Sequence, residues 1–364
     1  VVFLTMGWLA VLAMMCGRSI DGLTSIVSNT EASPTGIKMT IAASGAIVLA
    51  WFIVAKGPTS IKLFNMVVSP ALALLMAWML YLLLSRNSFA DLMAMQALDP
   101  PFEDKTLNFI IAIEVNLAAG FSWWPYIGNL ARLTKNERTA IWPNVIGIFG
   151  AATLGEIVGL LAAVALGESD PTVWMTQIGG LTVGLIALGF VAFANITSMA
   201  NILYTSIVGL RQIGTSGLRT LRWDVIVGAF CIVPLLLVLA YPGMYDGFFI
   251  FLVWTSALNS ALAGIGIADY FFLRGQKLDL RGLYAAHDQS PYRFASGFNP
   301  AGLIALLTGF LVYVLIFNPQ TLESAAVFKY LTASIPSCLA AGLVHYVLTK
   351  AIAAPRGWGA YPKK

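Results

Sequence analysis

The chain has 364 residues, of which 59% are hydrophobic and only 10% are charged, and its mean hydropathy is +0.82. Soluble domains carry about 25% charged residues, so this composition excludes an ordinary soluble domain. The formal net charge of +4 does not indicate nucleic-acid binding, because the basic residues lie in alternate loops between apolar runs.

Ten apolar runs predict an all-α polytopic membrane protein. A helix needs about 20 residues to cross the ~30 Å hydrocarbon core of a bilayer. Runs of about that length lie near residues 1–20, 39–55, 63–85, 106–131, 140–166, 179–209, 223–241, 247–273, 299–317 and 331–352. The fourth and sixth runs are long enough to tilt or break.

The distribution of Lys and Arg between the loops predicts the orientation of these spans. One set of alternate loops and the C-terminus contains Lys56, Lys62, Arg132, Lys135, Arg138, Arg211, Arg219, Arg222, Arg274, Lys277, Arg281, Arg293, Lys350, Arg356, Lys363 and Lys364. The other set contains only Arg18, Lys38, Arg86, Lys105 and Lys329. Because basic loops stay on the cytoplasmic side, both ends of the chain should face the cytoplasm.

The cysteines and histidines do not indicate a metal or a cofactor. Cys16, Cys231 and Cys338 are far apart, lie in or next to apolar runs and show no ligand spacing, so we expect them to pack as small apolar residues. His287 and His345 are isolated, and one histidine alone makes neither a metal site nor a triad.

The fourth run contains an unusual cluster in its middle, where Gly120, Ser122, Trp123 and Trp124 precede Pro125. Proline has no N–H for the preceding turn, so we expect the helix to kink or unwind there. Unwound backbone in a membrane is tolerated where it lines a cavity, as in transporter helices that bind solutes. The alternative is an ordinary proline kink beside an interfacial tryptophan pair.

The sixth run contains a stripe of small and oxygen-bearing side chains, at positions i, i+3, i+4 and i+7 of one helix face: Ala194, Thr197, Ser198 and Asn201. Hydroxyl and carbonyl oxygens suit a hard cation such as Na⁺. Small polar residues also join transmembrane helices to one another. From spacing alone, both interpretations remain open.

Glu114 and Glu156 are the acidic residues that we place inside spans. A carboxylate there is costly unless it is protonated, paired or near water. Either could couple transport to protons, and a structural hydrogen bond is an equal alternative for each. We expect Asp269, at a span end before Arg274, to act as an anchor.

Several stretches resemble the nucleobase-cation-symport family, which includes carriers of cytosine, purines, allantoin, hydantoins and hydroxymethylpyrimidine. The most specific are GIGIADYFFLRGQKLDLRGLY and YRFASGFNPAGLIALLTG. FSWWPYIGNLARLTKN resembles the broken sixth helix of the family, and KGPTSIKLFNMVVSPALALLM resembles the junction of its fourth and fifth helices. The resemblance runs in order from the third family helix to the twelfth.

The resemblance implies two inverted five-helix repeats with two extra C-terminal helices, in one transporter domain over residues 1–364. Residues 1–85 would be the rest of the first repeat, 106–273 the second and 299–352 the extra helices. The first two family helices would be missing, so we do not expect this chain to transport by itself.

The resemblance also implies a substrate site. Trp8 matches the third-helix tryptophan that stacks on the substrate ring, and Trp123, with Gly120 and Ser122, matches the second aromatic wall. Leu12 stands where many members have a glutamine. Leu203 stands where the family has a substrate-binding asparagine, and Asn201 is the nearest substitute. Ala194, Thr197 and Ser198 match the cation pattern of the eighth family helix.

The predicted function is therefore alternating-access symport of a nucleobase or related nitrogen heterocycle with Na⁺ or H⁺, and no other cofactor. The alternative is an amino-acid or other small-solute cation symporter of the same architecture. The spans show neither a hydrolase arrangement nor a filter loop, so an enzyme or a channel is not indicated. We expect a monomeric transport unit in the plasma (inner) membrane, with a heterocyclic substrate and lipid as its partners and no nucleic acid.

Overall fold

The structure is a computed structural model that describes residues 2–96, 98, 100–213, 220–283, 285, 290–294 and 297–361. Arg219, His287, Lys363 and Lys364 lie outside the described residues. Within those ranges the chain is helical apart from turns and one antiparallel bridge between Phe317 and Ser324.

Fourteen α-helices, with short π and 3₁₀ segments, make up the described chain. The first eight are α1 (Val2–Ser28), α2 (Ile37–Ala55), α3 (Pro58–Arg86), α4 (Phe89–Ala94), α5 (Lys105–Ala131), α6 (Glu137–Val145), α7 (Thr153–Leu166) and α8 (Pro171–Ile213). The remaining six are α9 (Trp223–Ala240), α10 (Phe248–Ile267), α11 (Leu280–Leu283), α12 (Pro300–Ile316), α13 (Phe328–Leu331) and α14 (Ser334–Leu348). Segment 146–152 is a π-helix that joins α6 to α7, and 242–247 is a 3₁₀ turn before α10.

The ten predicted spans are confirmed as helices. Nine described helices are long and apolar enough to cross a membrane, and a tenth, α12, is apolar with 17 residues. The predicted run 106–131 corresponds to α5, and the run 140–166 corresponds to the continuous helical segment Glu137–Leu166. The protein is thus an all-α polytopic membrane protein, as predicted.

The chain forms two compact units. The first comprises Val1–Pro100 and Tyr126–Phe248, and the second comprises Pro101–Pro125 and Phe249–Lys364. The first unit is built around α1, which packs against α2, α8 and α9, while α3 packs against α8. Hydrophobic burial does not drive helix association in lipid, so small residues at helix contacts matter more. At Gly17 a Cβ atom would lie 2.6 Å from the Met39 carbonyl oxygen, so only glycine permits this approach of α1 to α2.

The sixth span begins with a sharp reversal in α8. Gly180 has φ +69° and ψ 178°, which separates a short segment, 171–179, from the long helix 181–213. The two segments approach so closely that a Cβ on Gly184 would lie 2.5 Å from Cα of Thr176. Glycine at 180 therefore permits the left-handed turn, and glycine at 184 permits the contact.

In the second unit, α12 and α14 pack closely against each other and α10 joins them through small residues. A Cβ on Gly264 would lie 1.9 Å from the Cys338 carbonyl oxygen, and hydroxyl pairs connect Ser256 to Ser334 at 2.7 Å and Ser260 to Ser337 at 3.0 Å. Such small polar contacts are the usual means of joining transmembrane helices.

Asp269 anchors the C-terminal residues, as the sequence predicts for this side chain. Its carboxylate accepts hydrogen bonds from Arg274 Nε and from the Tyr361 hydroxyl, both at 2.6 Å, and His345 Nε2 lies 3.4 Å away. Burial and then the hydrogen bond to this carboxylate raise the pKa of Tyr361 above its ordinary value. Tyr361 therefore stays a neutral donor to Asp269 at physiological pH.

Candidate functional site

Trp8 begins a row of aromatic side chains in the first unit. It is half-buried on α1, and its ring meets the Phe248 ring edge-on at a centroid distance of 5.5 Å. Phe248 in turn stacks on Tyr245 at 6.1 Å with an interplanar angle of 7°. These spacings lie in the favourable range for aromatic pairs. Phe248 and Tyr245 were not predicted from the sequence, although the aromatic-rich segment YPGMYDGFF was a usable signal.

Arg18 closes one end of this aromatic row. Its guanidinium lies 4.3 Å from the centre of the Tyr245 ring, and it contacts Asp246 at 2.5 Å and Asp170 at 3.5 Å. Thus one cation connects α1 to the start of α8 and to the turn before α10. Counting Arg18 as a loop residue was wrong, because it lies inside α1 and is only 8% exposed. Two nearby carboxylates compensate the buried charge.

The predicted cation residues lie on α8 in the first unit. Thr197 is 5% exposed and its hydroxyl donates to the Ala194 carbonyl oxygen at 2.8 Å. Ser198 is half-buried and makes no hydrogen bond to any of the described residues. A hydroxyl that donates one hydrogen bond keeps its lone pairs. The side chains of Thr197 and Ser198 can therefore still offer oxygen to a cation.

Asn201 lies one turn beyond the hydroxyl pair, and its amide pairs with Asn65 of α3. The Asn65 Nδ2 donates to Asn201 Oδ1 at 3.0 Å, and the Asn201 Nδ2 donates to Asn65 Oδ1 at 3.3 Å. Leu203, where the family pattern has an asparagine, is fully buried in the core of the first unit. Asn65 was not found by the sequence analysis.

The predicted second aromatic wall lies on α5 in the second unit. Gly120 is exposed, Ser122 is 4% exposed with its hydroxyl donating to the Ala119 carbonyl oxygen at 2.6 Å, and Trp123 is 37% exposed. The neighbouring Trp124 packs on α10, where a Cβ on Gly266 would lie 3.2 Å from its indole.

The expected unwinding at Pro125 is not observed, because α5 is continuously helical from Lys105 to Ala131. Proline removes one hydrogen bond, which a helix can accommodate without unwinding. The boundary between the two units nevertheless falls between Pro125 and Tyr126. Beyond it, the Tyr126 hydroxyl bonds Thr5 at 2.9 Å, and Asn129 donates to the Thr205 carbonyl oxygen at 3.1 Å. These bonds hold the last turns of α5 to α1 and α8.

Glu114 is fully buried in the second unit, with hydrogen bonds to both of its oxygens. Oε1 accepts from the hydroxyls of Tyr313 at 2.7 Å and Ser334 at 2.5 Å. Oε2 accepts from the backbone N–H groups of Ala333 at 2.9 Å and Ser334 at 3.1 Å. The carboxylate therefore caps the N-terminus of α14, where negative charge is favourable.

Among the described residues, Glu156 and the three cysteines add no further candidate binding or metal site. Glu156 is exposed on the first turn of α7. Cys16, Cys231 and Cys338 are free thiols, the first two buried in the core of the first unit. In the part of the chain that the structure describes, no group of three or more His, Cys, Asp or Glu is placed to hold a metal ion.

The fold defines a multi-pass integral membrane protein. A solved structure, the inward-facing conformation of Mhp1, has the same fold, with a TM-score of 0.71 and 20% sequence identity. That match covers 100% of this chain and 74% of the Mhp1 chain.

The chain belongs to the family of permeases for cytosine/purines, uracil, thiamine and allantoin, whose model matches residues 1–334. The predicted resemblance is therefore confirmed, and the family to which the chain belongs is described as permeases, not as enzymes.

Relatives within curated proteins share 24 to 27% identity with this chain. The cytosine permease of Escherichia coli K12 is 24% identical over 269 residues, which is 74% of this chain and 58% of the permease. The hydantoin permease of Microbacterium maritypicum is 27% identical over 337 residues, 86% of this chain and 65% of that protein. The purine-uracil permease NCS1 of Arabidopsis thaliana is 24% identical over 253 residues, 64% of this chain and 41% of that protein. The chain thus spans less than two thirds of the length of each.

Proposed function

We propose that this protein carries a nucleobase or related nitrogen heterocycle together with Na⁺ by alternating access. The observation that carries the proposal is the polar face of α8, where Thr197, Ser198 and Asn201 follow one another within an apolar span. Relatives whose names specify cytosine, purine-uracil and hydantoin support a flat ring with N–H and C=O groups as the substrate.

The aromatic residues suit such a ring. For the first unit, we propose that Trp8 stacks on the heterocycle and that Asn201 contacts the ring edge. For the second unit, we propose that Trp123, with Gly120 and Ser122, has the stacking role that the family resemblance implies. Stacking of a base on an aromatic side chain contributes about 1–3 kcal/mol and tolerates different rings. One site of this kind can therefore serve several heterocycles, and polar contacts at the ring edge select among them.

We propose Na⁺ as the coupling ion, held by Thr197 and Ser198 side chains and by the Ala194 carbonyl oxygen. Symport requires that the ion bind one conformational state more tightly than the other.

We also propose that both chain ends face the cytoplasm and that the transport unit is a monomer. Its inverted repeats would comprise residues 1–85 and 106–273, followed by the extra helices at 299–352.

Uptake of radiolabelled cytosine, uracil, adenine, hydantoin, allantoin and thiamine precursors tests the substrate class. The complete gene product that contains this chain is expressed in cells lacking their own carriers and assayed with Na⁺ or with choline in its place. We expect Na⁺-stimulated uptake of at least one heterocycle. Uptake of an amino acid and of no heterocycle would favour the alternative symporter of the same architecture.

Replacing Thr197 by valine together with Ser198 by alanine should remove the Na⁺ stimulation of uptake. The double variant keeps the side-chain volumes close to the originals but removes both hydroxyl oxygens, so we expect the half-saturating Na⁺ concentration to rise at least about ten-fold, equivalent to about 1.4 kcal/mol. Half-saturating Na⁺ is measured from initial uptake rates.

Thr205→Val is the matched control for this double variant. Thr205 is 1% exposed on the same helix, and its hydroxyl donates to the carbonyl oxygens of Asn201 and Ile202, both at 3.0 Å. We expect its Na⁺ dependence to be unchanged. An unaltered Na⁺ dependence in the double variant would rule out the proposed cation site.

A further inference from the structure

The amide pair between Asn65 and Asn201 uses the donor and the acceptor of both side chains. Each amide donates one hydrogen bond to the other and accepts one in return, at 3.0 and 3.3 Å. Both side chains are half-buried. Amide hydrogen bonds of this kind join transmembrane helices. This reciprocal pair also occupies a complete donor and acceptor edge of Asn201.

A heterocyclic lactam presents the same edge as an asparagine amide. Uracil, cytosine and hydantoin each carry an N–H beside a C=O on the ring, and an asparagine side chain offers N–H donors and carbonyl lone pairs. A ring of this kind can therefore make the same two hydrogen bonds to Asn201 that Asn65 makes. A ring that bound this edge of Asn201 would have to displace Asn65.

The pair lies close to the proposed cation residues along the helix. Asn201 follows Ser198 by three positions and Thr197 by four, so all three lie on one face of α8. Asn65 lies two turns into α3, which packs along α8. A change at the Asn201 edge therefore alters the contact between α3 and α8 beside the cation residues.

We propose that Asn65 is an internal substitute for the substrate, an inference that rests on the proposed function. In the empty carrier its amide satisfies the donor and acceptor edge of Asn201. A lactam substrate displaces it and releases α3 from α8 at this point. Asn65 is thus a positioning residue that sets substrate affinity and connects substrate binding to the position of α3. A ligand shifts a conformational equilibrium only when it binds one state more tightly than the other. The exchange of Asn65 for the substrate at Asn201 provides this difference in affinity.

Asn65→Ala is the direct test. Removing the competing amide should increase the affinity for uracil, cytosine or hydantoin by about three- to ten-fold, since each amide hydrogen bond has a modest net value. Dissociation constants are measured by equilibrium binding of each labelled ligand to the purified complete gene product. No gain is expected for 1,3-dimethyluracil or 1,3-dimethylhydantoin, because methylation removes the N–H donor. Asn201→Ala should lose affinity for all lactams.

Asn144→Ala is the matched control, because the Asn144 amide also lies in an apolar span but donates to its own helix, to the Ala140 carbonyl oxygen at 2.6 Å. Its affinities should equal those of the unmodified protein. If Asn65→Ala lowers thermal stability and leaves lactam affinity unchanged or weaker, the pair merely joins two helices and the inference is wrong. If the unmodified protein binds none of the heterocycles, the proposed function fails, and this inference fails with it.

Discussion

Trp123→Ala should abolish heterocycle uptake while leaving the protein folded. Loss of one stacking face costs about 1–3 kcal/mol of binding, which corresponds to about a five- to 150-fold loss of affinity. Trp123 is 37% exposed and is not one of the buried core residues, so we expect the variant to fold. Initial uptake rates and thermal unfolding of the purified protein measure the two effects separately.

The adjacent tryptophan provides the comparison. Trp124 is 45% exposed, similar to Trp123, but its indole packs on Gly266 of α10. Trp124→Ala should therefore lower the unfolding temperature and should leave substantial uptake. If Trp123→Ala transports normally, or if the effects of the two variants are reversed, Trp123 is not the second aromatic wall.

The spans were predictable because hydrocarbon thickness dictates helix length. The run at 106–131 differs from α5 by a single residue, and the alternation of basic loops supports the same count of spans. The start of α8 was not predictable in this way. Residues 171–179 contain Thr and Gln among apolar residues and precede a glycine at φ +69°, so neither length nor hydropathy identifies them as a helix that folds back.

The candidate site was predictable only where its residues share one helix. Helical spacing alone places Thr197, Ser198 and Asn201 on one face of α8. Arg18 with Asp246, Asn65 with Asn201, and Glu114 with Ser334 are pairs separated by more than 100 positions. A single sequence contains no signal for such distant pairings, so buried partners were missed.

Of the two outcomes expected at Pro125, a kink or an unwound turn, the unwound turn is not observed. The missing N–H of a proline deprives one carbonyl of its helical partner, but the neighbouring residues of α5 keep helical geometry through Ala131. The proline therefore marks a position that lacks one backbone hydrogen bond, not the end of a helix. The boundary between the two units falls directly after Pro125. Only the tertiary contacts reveal this boundary.

Glu114 should prove to be a structural carboxylate rather than a proton-coupling group. Its two oxygens accept four hydrogen bonds, two of them from backbone N–H groups at the start of α14. Glu114→Ala leaves those buried donors without an acceptor, which should cost about 3–5 kcal/mol of stability. Glu114→Gln keeps one carbonyl oxygen for the backbone donors but loses the negative charge at the helix N-terminus, so its cost should be smaller, about 1–2 kcal/mol.

Unfolding temperatures and uptake measured across a pH series decide between the two roles of Glu114. A structural role predicts stability in the order unmodified protein, Glu114→Gln, Glu114→Ala, with the same pH profile of uptake for the unmodified protein and for Glu114→Gln. Glu156→Gln is the matched control, because Glu156 is exposed on α7, and it should change neither quantity. A Glu114→Gln protein that is as stable as the original but whose uptake no longer depends on pH would instead assign proton coupling to Glu114. In that case Thr197 and Ser198 would serve helix packing, because a carrier driven by that proton does not need a Na⁺ site on α8.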